Sequence, residues 1–431
     1  MADLSVATLL REQVPAHHRR VLEAATELAQ QLGDLLYLVG GAVRDLLRTG
    51  ELRDLDLVVE GDGLEFARQL AAKVEAELRL HPRFLTAELD LEGLRVDVTT
   101  ARRESYLRAG ELPEVEVATL NEDLGRRDFT INAMALRLWP ETAAAPIDPF
   151  DGGNDLAKGL LRVLHDQSFL DDPTRILRGV RLAARLGLRL ETKTRDLMLA
   201  AVTTGAFNPL SASRLLQEMV LILDESESVE ESIRLLDQLQ FLTYLHSEFT
   251  VDPELFQKLR ASKDLQHGWS AGSVSRPPVR WWLARLLVLL SGHSRAVRAG
   301  VADRLGLEGE MRSKLLGRSG AVATAKSVLQ TSDVAPHRVH QALESLASEE
   351  LVSLALTGKA STRAWIERWL DELRRLGLGI GGEDLVARGI PEGPEIGRVL
   401  ETTLAARMDG TISREDEMEY ALDLLKEDKQ Q

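Results

Sequence analysis

The sequence predicts an α/β domain with a small mixed sheet and helices, followed by a much longer part that is all helix. Short segments rich in Val, Leu and Thr recur between residues 35 and 138, and each has the length of a strand. After residue 155, leucine- and alanine-rich amphipathic segments follow one another, with Pro and Gly breaks between them. This change of pattern divides the chain into an α/β head and a helical remainder.

Four strands and one long helix are predicted in the head. Apolar and β-branched residues indicate the strands, at residues 35–39, 54–59, 94–99 and 132–138. Residues 63–80 carry apolar side chains at helical spacing, with Leu78 among them, and this spacing predicts a helix over that range.

Composition excludes several classes of protein. The 431 residues are 44% hydrophobic and 28% charged, which is typical of a globular protein and not of a fibrous or disordered one. The absence of cysteine excludes disulfides, thiolate nucleophiles and Cys-ligated metal sites, and it fits a reducing cytosol. The longest apolar stretch, residues 281–290, contains Arg285, and the first 14 residues carry no signal-peptide core. We expect a soluble, cytoplasmic protein with no membrane partner.

The net charge of −15 would ordinarily argue against a nucleic-acid partner, because phosphate binding relies on Lys and Arg. Net charge averages over the whole surface, however, and arginine is concentrated between residues 162 and 195. A local basic face can therefore exist on this acidic protein. No protein partner is evident from the sequence.

The first motif joins a strand to a helix through two glycines, at residues 38–45. Gly40 and Gly41 allow backbone N–H groups at a helix N-terminus to approach a phosphate, and Arg44 can add a guanidinium to that cradle. Alternatively, the glycine pair only makes a turn.

Three aspartates follow that offer carboxylates to a cation. Asp54 and Asp56 lie two residues apart on a predicted strand, so both side chains project from one face. Adjacent carboxylates repel one another unless a cation lies between them, and Mg²⁺ is the usual one. Asp97 lies on the polar face of the next predicted strand and adds a third carboxylate. Alternatively, these residues are solvated aspartates on an edge strand.

The second motif is Arg-Arg-Asp-Phe-Thr-Ile-Asn-Ala-Met at residues 126–134. Arg127 is a candidate to neutralise triphosphate oxygens, and Asn132 is a candidate to donate a hydrogen bond to a ribose or phosphate. Taken alone, the motif favours the alternative that it contains a surface Arg–Asp pair of little energetic consequence.

The third motif, at residues 169–185, combines a carboxylate with a row of guanidiniums. Asp172 followed by proline is typical of a helix N-cap. Four arginines follow at three- to four-residue spacing and share one face of the predicted helix: Arg175, Arg178, Arg181 and Arg185. Such a row is either a solvated basic face or part of a binding site.

Together and in this order, the three motifs resemble the class II tRNA nucleotidyltransferases, which comprise the CCA-adding enzymes and their CC-adding, A-adding and poly(A)-polymerase relatives. The resemblance runs from about Leu38 to Leu223, and residues 210–218 resemble the family's fifth motif. It implies a nucleotidyltransferase head over residues 1–150, a helical neck with a nucleotide-base template over 151–223 and an all-helical body and tail over 224–431.

The resemblance also implies a chemistry. In the family the paired aspartates, here Asp54 and Asp56, hold two Mg²⁺ ions that bind ATP or CTP. Asp97 would orient or deprotonate the RNA 3′-hydroxyl that attacks the α-phosphorus, and pyrophosphate leaves. Positions that contact the triphosphate and the sugar are matched by Gly40, Gly41, Arg44 and Arg127.

The arginine helix resembles the family's protein template for the incoming base. Asp172 would accept from the exocyclic amine of cytosine or adenine and Arg175 would donate to the adjacent ring nitrogen, which rejects uracil and guanine. Arg178 and Arg181 match further nucleotide contacts. The family usually has Glu-Asp before the template arginine, whereas this chain has Asp171-Asp172. The shorter side chain leaves open which group supports Arg175.

The implied partner is tRNA, contacted at its acceptor and T arms by the helices of the neck, body and tail. Residues 101–116 correspond to a family loop that helps to set whether C-C-A, C-C or only the terminal A is added, so the product stays open. Two alternatives remain, a poly(A) polymerase acting on other RNA and a non-catalytic helical RNA-binding protein. The acidic C-terminal end argues against the first alternative, and the intact carboxylates argue against the second.

Overall fold

The computed structural model describes residues 14–106, 113–140, 145–225, 227–271, 276–317, 320–331 and 333–428. These residues belong to two compact units. One unit draws on Met1–Met219 and Glu231–Tyr244, and the other on Val220–Glu230 and Leu245–Gln431.

The first unit begins with the α/β head. Its elements in chain order are α1 (Ala16–Leu32), β1 (Leu35–Val39), α2 (Gly41–Thr49), β2 (Leu55–Glu60), α3 (Gly63–Val74), β3 (Glu77–His81), β4 (Thr86–Leu91), β5 (Leu94–Thr100), β6 (Arg102–Ser105), β7 (Glu114–Val117), α4 (Leu120–Gly125) and β8 (Ala135–Trp139). Short 3₁₀ turns occupy Pro82–Phe84 and Thr130–Asn132.

Six of these strands form one mixed sheet in the order β3-β4-β5-β2-β1-β8. Only β2 and β5 pair in parallel, and the other neighbours are antiparallel. A parallel pair needs a crossover connection, which α3, β3 and β4 provide. Strands β6 and β7 form a separate antiparallel ribbon, and the loop residues 107–112 between them lie outside the described residues.

Both faces of the sheet are buried, as the alternation along β1 shows. Leu36 and Leu38 pack into the core that the sheet forms with α1, α2 and α3. Tyr37 and Val39 point to the opposite face, where they join a second cluster that includes Leu120 and Leu124. The sheet is therefore a rigid support for the residues at its strand ends.

Two predicted elements of the head have wrong bounds, and Asp54 precedes the strand in which it was predicted. Helix α3 ends at Val74, where Glu75 adopts a left-handed conformation with a φ of 59°, and Leu78 lies in β3 instead. Leu78 lies four residues after Val74, a helical spacing, and two residues before Leu80, a strand spacing, so its position alone did not separate the two elements. Asn132 lies in a 3₁₀ turn, because β8 begins only at Ala135.

The rest of the first unit is mainly helical. Its elements are α5 (Gly152–Ala157), β9 (Leu160–Leu161), α6 (Ser168–Asp171), α7 (Thr174–Leu186), β10 (Arg189–Leu190), α8 (Thr192–Thr203), α9 (Ala212–Asp224), α10 (Val229–Gln238) and α11 (Phe241–Leu245), of which α9, α10 and α11 extend into the second unit. Helix α7 packs closely on the head, since a Cβ at Gly179 would lie 2.6 Å from the ring of Phe129.

The second unit is built of helices and loops, with no strand among its described residues. Its helices are α12 (Pro253–Ala271), α13 (Trp281–Leu289), α14 (Arg295–Arg304), α15 (Gly309–Leu315), α16 (Ala321–Gln330), α17 (Pro336–Leu343), α18 (Ser348–Thr357), α19 (Ala360–Asp371), α20 (Gly382–Val386), α21 (Pro394–Met408) and α22 (Glu417–Asp428), with a 3₁₀ turn at Leu373–Arg375. The predicted α/β head followed by helices is confirmed. In the part of the chain that is described, no helix has both the length and the apolarity needed to cross a membrane.

Candidate functional site

The turn between β1 and α2 is built around Gly40. Its φ of 67° lies in the region that favours glycine, and a Cβ at this position would lie 2.6 Å from Nη1 of Arg127. Gly41 then begins α2, whose first N–H groups have no acceptor within the helix. The turn therefore brings backbone donors and a guanidinium together, as an anion site requires.

The parallel pairing of β2 and β5 places Asp56 directly opposite Asp97. Asp54 precedes β2 and lies in a bend, not in the strand itself as predicted. All three aspartates line one cavity of about 430 Å³. The sheet register thus collects the three predicted carboxylates, although Asp97 is about 40 residues distant in sequence.

The carboxylates oppose one another's ionisation. Burial raises the pKa of Asp56 to about 6; Arg127 opposes this rise, whereas Asp97 and Asp54 add to it. Burial also raises the pKa of Asp97, against the hydrogen bond that Arg95 Nε donates to its Oδ1 at 3.1 Å. This mutual repulsion is the electrostatic condition in which a cation binds.

The donor set fits magnesium. Within the described ranges, no three His, Asp or Glu side chains are placed to hold a metal ion by themselves. Mg²⁺ in phosphoryl-transfer sites is usually held by one or two carboxylates, and substrate phosphates and water complete its shell. Asp54 and Asp56 supply such a pair, with hard oxygen ligands and excess negative charge.

Arg44 is buried and held by three hydrogen bonds. Its Nε and Nη2 donate to the two oxygens of Asp45, both at 2.8 Å, and its Nη1 donates to Asn132 Oδ1 at 2.5 Å. Asn132 in turn donates from Nδ2 to Asp128 Oδ1 at 3.0 Å. The first and second sequence motifs are therefore joined directly through side chains.

Arg127 is held in place by a network of buried ion pairs. Arg127 Nη2 donates to Asp123 Oδ2 at 3.0 Å, and Arg126 Nη2 donates to Oδ1 of the same carboxylate at 2.6 Å. Arg126 also donates to Glu104 Oε1 at 2.8 Å. Although burial opposes ionisation, the two arginines lower the pKa of Asp123. The network orients the guanidinium of Arg127 toward Gly40.

Asp128 ties the second motif to helix α7. Its Oδ2 accepts from Nη2 of Arg178 at 2.8 Å and from Nε of Arg178 at 3.2 Å. Burial opposes the ionisation of Asp128, but Arg178 and the hydrogen bond from Asn132 lower its pKa to about 2. The charge of Asp128 likewise raises the pKa of Arg178, which is half exposed. The motif's acidic residue is therefore not part of a surface pair.

Asp172 and Arg175 lie at the start of α7. Asp172 Oδ1 accepts from the backbone N–H and the hydroxyl of Thr174, and from Arg214 Nη2 at 2.9 Å. The helix begins one residue later than predicted, because Pro173 and not Asp172 is the N-cap. Arg175 is buried and donates to Ser168 Oγ at 2.6 Å, and to the carbonyl oxygen of Arg126 at 2.8 Å.

A cavity of about 560 Å³ connects α7 with the head. Most of the predicted site residues line it, namely Gly41, Arg44, Asp56, Arg127, Asn132, Asp172, Arg175, Arg178 and Arg181. Asp54 and Asp97 line the neighbouring cavity, which shares Gly41, Arg44, Asp56 and Arg185 with the first. Gly40 lies in the turn that precedes Gly41, and Gly41 lines both cavities.

Sequence reasoning missed the residues that hold these groups in place. Asp123 and Asp128 are buried carboxylates that pair with arginines of the site. Ser168 contacts Arg175, and Arg214 contacts Asp172. Asp128 stands next to Arg127 in the second motif, but no local pattern indicates that its partner, Arg178, lies 50 residues away. Arg214 lies in the segment that resembles the family's fifth motif, for which the sequence predicts no role.

Comparisons with known proteins agree on one group of enzymes. Residues 36–162 match the family model of the poly A polymerase head domain. The A-adding tRNA nucleotidyltransferase of Halalkalibacterium halodurans is 31% identical, with 96% of this chain and 94% of that protein covered. The CC-adding tRNA nucleotidyltransferase of Deinococcus radiodurans is 33% identical, with 90% and 88% covered.

The solved structure of the Thermotoga maritima CCA-adding enzyme in complex with tRNA is also similar, with a TM-score of 0.79, 31% identity and 98% of both chains covered. The A-adding tRNA nucleotidyltransferase of Geobacter sulfurreducens is 34% identical over 97% of this chain, but this chain spans only about half of that relative, 48% of its length. The similarity of this chain to its shorter relatives extends over nearly their whole length.

Proposed function

Because the chain belongs to the family of tRNA nucleotidyltransferases and poly(A) polymerases, we propose that it extends the 3′ end of tRNA by all or part of the C-C-A sequence. It uses CTP, ATP or both as nucleotide donors, needs no nucleic-acid template and releases pyrophosphate. Relatives that add A, C-C or C-C-A are similar to this chain to nearly the same degree. The product is therefore decided by assay.

One observation carries the proposal. A single cavity is lined on one side by Asp56 and the helix α2 turn, and on the other by Asp172 and Arg175. A nucleoside triphosphate bound there would have its phosphates at the carboxylates and its base at α7. A non-catalytic RNA-binding protein would not require carboxylates and base-reading residues in one cavity.

Mg²⁺ is the proposed cofactor, with two ions expected and with Asp54 and Asp56 as protein ligands. When bound, it supplies positive charge that binds the triphosphate and lowers the pKa of the attacking 3′-hydroxyl. The support for this proposal is the raised pKa of Asp56, which follows first from burial and then from repulsion by Asp97 and Asp54.

The side chains of the head position the reacting groups. Asp97, opposite Asp56 in the sheet register, is placed to orient the 3′-hydroxyl or accept its proton. The N–H groups at the start of α2 and the guanidinium of Arg127 are donors for the phosphate oxygens. Because burial and ion pairs fix these groups before the substrate arrives, little reorganisation is needed in the transition state.

The base is read at the start of α7. The hydrogen bonds that Asp172 accepts within the described residues all go to Oδ1, which leaves Oδ2 for the exocyclic amine of cytosine or adenine. Arg175 donates to the adjacent ring nitrogen. Uracil or guanine would leave these groups unpaired, at a cost of about 1–3 kcal/mol each. Arg178 and Arg181 line the same cavity and supply positive charge for the nucleotide.

The RNA partner is proposed to be tRNA, with its acceptor and T arms contacted by the helices that follow the head, in the cytoplasm. The relative from Thermotoga maritima was solved with tRNA, and this chain is similar to it over 98% of its length. Recognition would rest on shape and on phosphate contacts rather than on base sequence.

A primer assay tests the proposal. Purified protein, Mg²⁺ and labelled CTP or ATP are incubated with tRNA transcripts that end before the C-C-A, after C-C, or after the complete sequence. We expect addition that stops at a defined length and no extension of the complete tRNA. Long adenosine runs on unrelated RNA would instead identify a poly(A) polymerase, and no incorporation on any primer would contradict both.

A further inference from the structure

Arg175 is held in place by neutral oxygens. Its Nη1 donates to Ser168 Oγ at 2.6 Å and its Nη2 donates to the carbonyl of Arg126 at 2.8 Å, with the hydroxyl of Tyr106 more distant at 3.5 Å. Among the described residues, no carboxylate forms an ion pair with this guanidinium, and Asp171 makes no hydrogen bond to it. The support that the shorter Asp171 does not give comes from Ser168.

Ser168 contacts both of the proposed base readers. It is fully buried at the first residue of α6, and its hydroxyl accepts from Arg175. Its backbone carbonyl accepts the N–H of Asp172 at 3.1 Å, the bond that ends this short helix. One residue therefore fixes the guanidinium and the carboxylate relative to each other.

The Ser168 hydroxyl that supports Arg175 carries no charge, and this matters for recognition of the base. A carboxylate in place of Ser168 would form an ion pair and neutralise part of the guanidinium's charge. A hydroxyl aligns the guanidinium by a single hydrogen bond and leaves its full positive charge to meet the acceptor nitrogen of the base. Because a misplacement of about 1 Å can cost about a hundredfold in rate, the alignment of the guanidinium contributes more than the energy of the hydrogen bond alone.

We propose that Ser168 is a positioning residue that sets base selectivity by holding Arg175 at a fixed distance from Asp172. This inference rests on the proposed function, since it assumes that the two residues read the base. Ser168 does not touch the substrate, and its hydroxyl acts only through Arg175.

Ser168→Ala tests this role, since it removes the hydroxyl and keeps the backbone bond to Asp172. The matched control is Ser232→Ala. Ser232 is also fully buried in the first unit, and its hydroxyl has no hydrogen-bond partner in the described part of the chain. Single-nucleotide incorporation is measured for each of CTP, ATP, UTP and GTP on matched tRNA primers, together with the KM for tRNA and the midpoint of thermal unfolding.

We expect Ser168→Ala to lower kcat/KM for the accepted nucleotides about tenfold, the effect of losing one hydrogen bond to a charged group. The ratio of accepted to rejected nucleotides should narrow by a similar factor, while the KM for tRNA stays unchanged. Ser232→Ala should change none of these quantities.

Arg175→Ala is measured together with Ser168→Ala and Ser232→Ala. It distinguishes failure of the proposed role of Ser168 from failure of the proposed base-reading role of Arg175. If Arg175→Ala relaxes base choice but Ser168→Ala does not, the positioning role of Ser168 is wrong and the proposed function stands. If neither substitution changes base choice, the base-reading role of Arg175 is wrong, and the inference falls with it. Loss of activity in Ser168→Ala with unchanged selectivity and a lowered unfolding midpoint would also overturn the inference, because it would show a structural role only.

Discussion

The arginines of the proposed nucleotide site are held by buried partners that were not predicted from the sequence. Arg127 was predicted from its motif, and so was Arg178, but their partners Asp123 and Asp128 were not. A residue type at a given spacing predicts which chemistry is available. Asp123 lies only four residues before Arg127, so this pair was within reach of the sequence and was overlooked. Asp128 and Arg178 are 50 residues apart and meet only because of how α7 packs on the head, so this pair could not be predicted from the sequence.

The pair of Asp128 and Arg178 gives a pH-dependent prediction at this scale. The pKa of Asp128 is lowered from an ordinary 3.8 to about 2, so the folded state favours its charged form. The resulting stabilisation is complete above about pH 4 and is lost as the pH falls through about 2. A shift of this size corresponds to about 2 kcal/mol.

Asp128→Asn should therefore lower the free energy of unfolding by about 2 kcal/mol near neutral pH, measured by denaturant titration. The difference from the unmodified protein should shrink as the pH falls from 4 through 2, because Asp128 is progressively protonated near its folded pKa of about 2. Asp196→Asn, at an exposed ion pair of α8, is the control and should cost little. A deficit in Asp128→Asn that does not vary with pH would show that the ionised pair is not its cause.

Among the elements, the strands at the proposed catalytic carboxylates were predicted nearly to the residue. The strand predicted at 54–59 is observed at Leu55–Glu60, and the one at 94–99 at Leu94–Thr100. Their apolar residues alternate clearly, and this pattern is local. The parallel register that sets Asp56 beside Asp97 is not local, since it depends on a crossover of more than 30 residues, and it could not be predicted from either strand.

The β1–α2 turn gives a prediction at this scale. Gly40→Ala would place a Cβ 2.6 Å from Nη1 of Arg127 at a φ of 67°, so Arg127 must move. We expect a rise in the KM for the nucleotide and a loss of about 1–2 kcal/mol in stability from backbone strain. Steady-state kinetics and denaturant titration measure the two effects.

Gly33→Ala is the matched control for that experiment. Gly33 also has a positive φ, of 77°, but nothing lies within 4 Å of its Cβ position. Gly33→Ala should lower the stability of the protein to a similar degree and keep the nucleotide KM of the unmodified protein. Equal nucleotide KM values in the two variants would show that the turn at Gly40 does not position Arg127 for the substrate.

At the scale of the whole molecule, an acidic protein contains a site rich in arginine. The net charge of −15 said little about the partner, because the cationic residues of the site line one cavity and are partly paired there. The division into an α/β head and a helical remainder could be predicted from the sequence, since the period of the apolar residues changes along the chain. The packing of α7 onto the head could not, because it depends on contacts such as Gly179 against Phe129 that leave no periodic signal.

We propose that Asp54 and Asp56 hold the Mg²⁺ that nucleotidyl transfer requires, and one measurement tests this most directly. Incorporation of labelled nucleotide into tRNA is followed with Asp54→Ala, and tRNA binding is measured on the same preparation. Asp166→Ala, at an exposed ion pair with Lys193, is the control and should leave both unchanged. We predict that Asp54→Ala incorporates nothing above background while it binds tRNA as the unmodified protein does. Normal incorporation by Asp54→Ala would contradict the account.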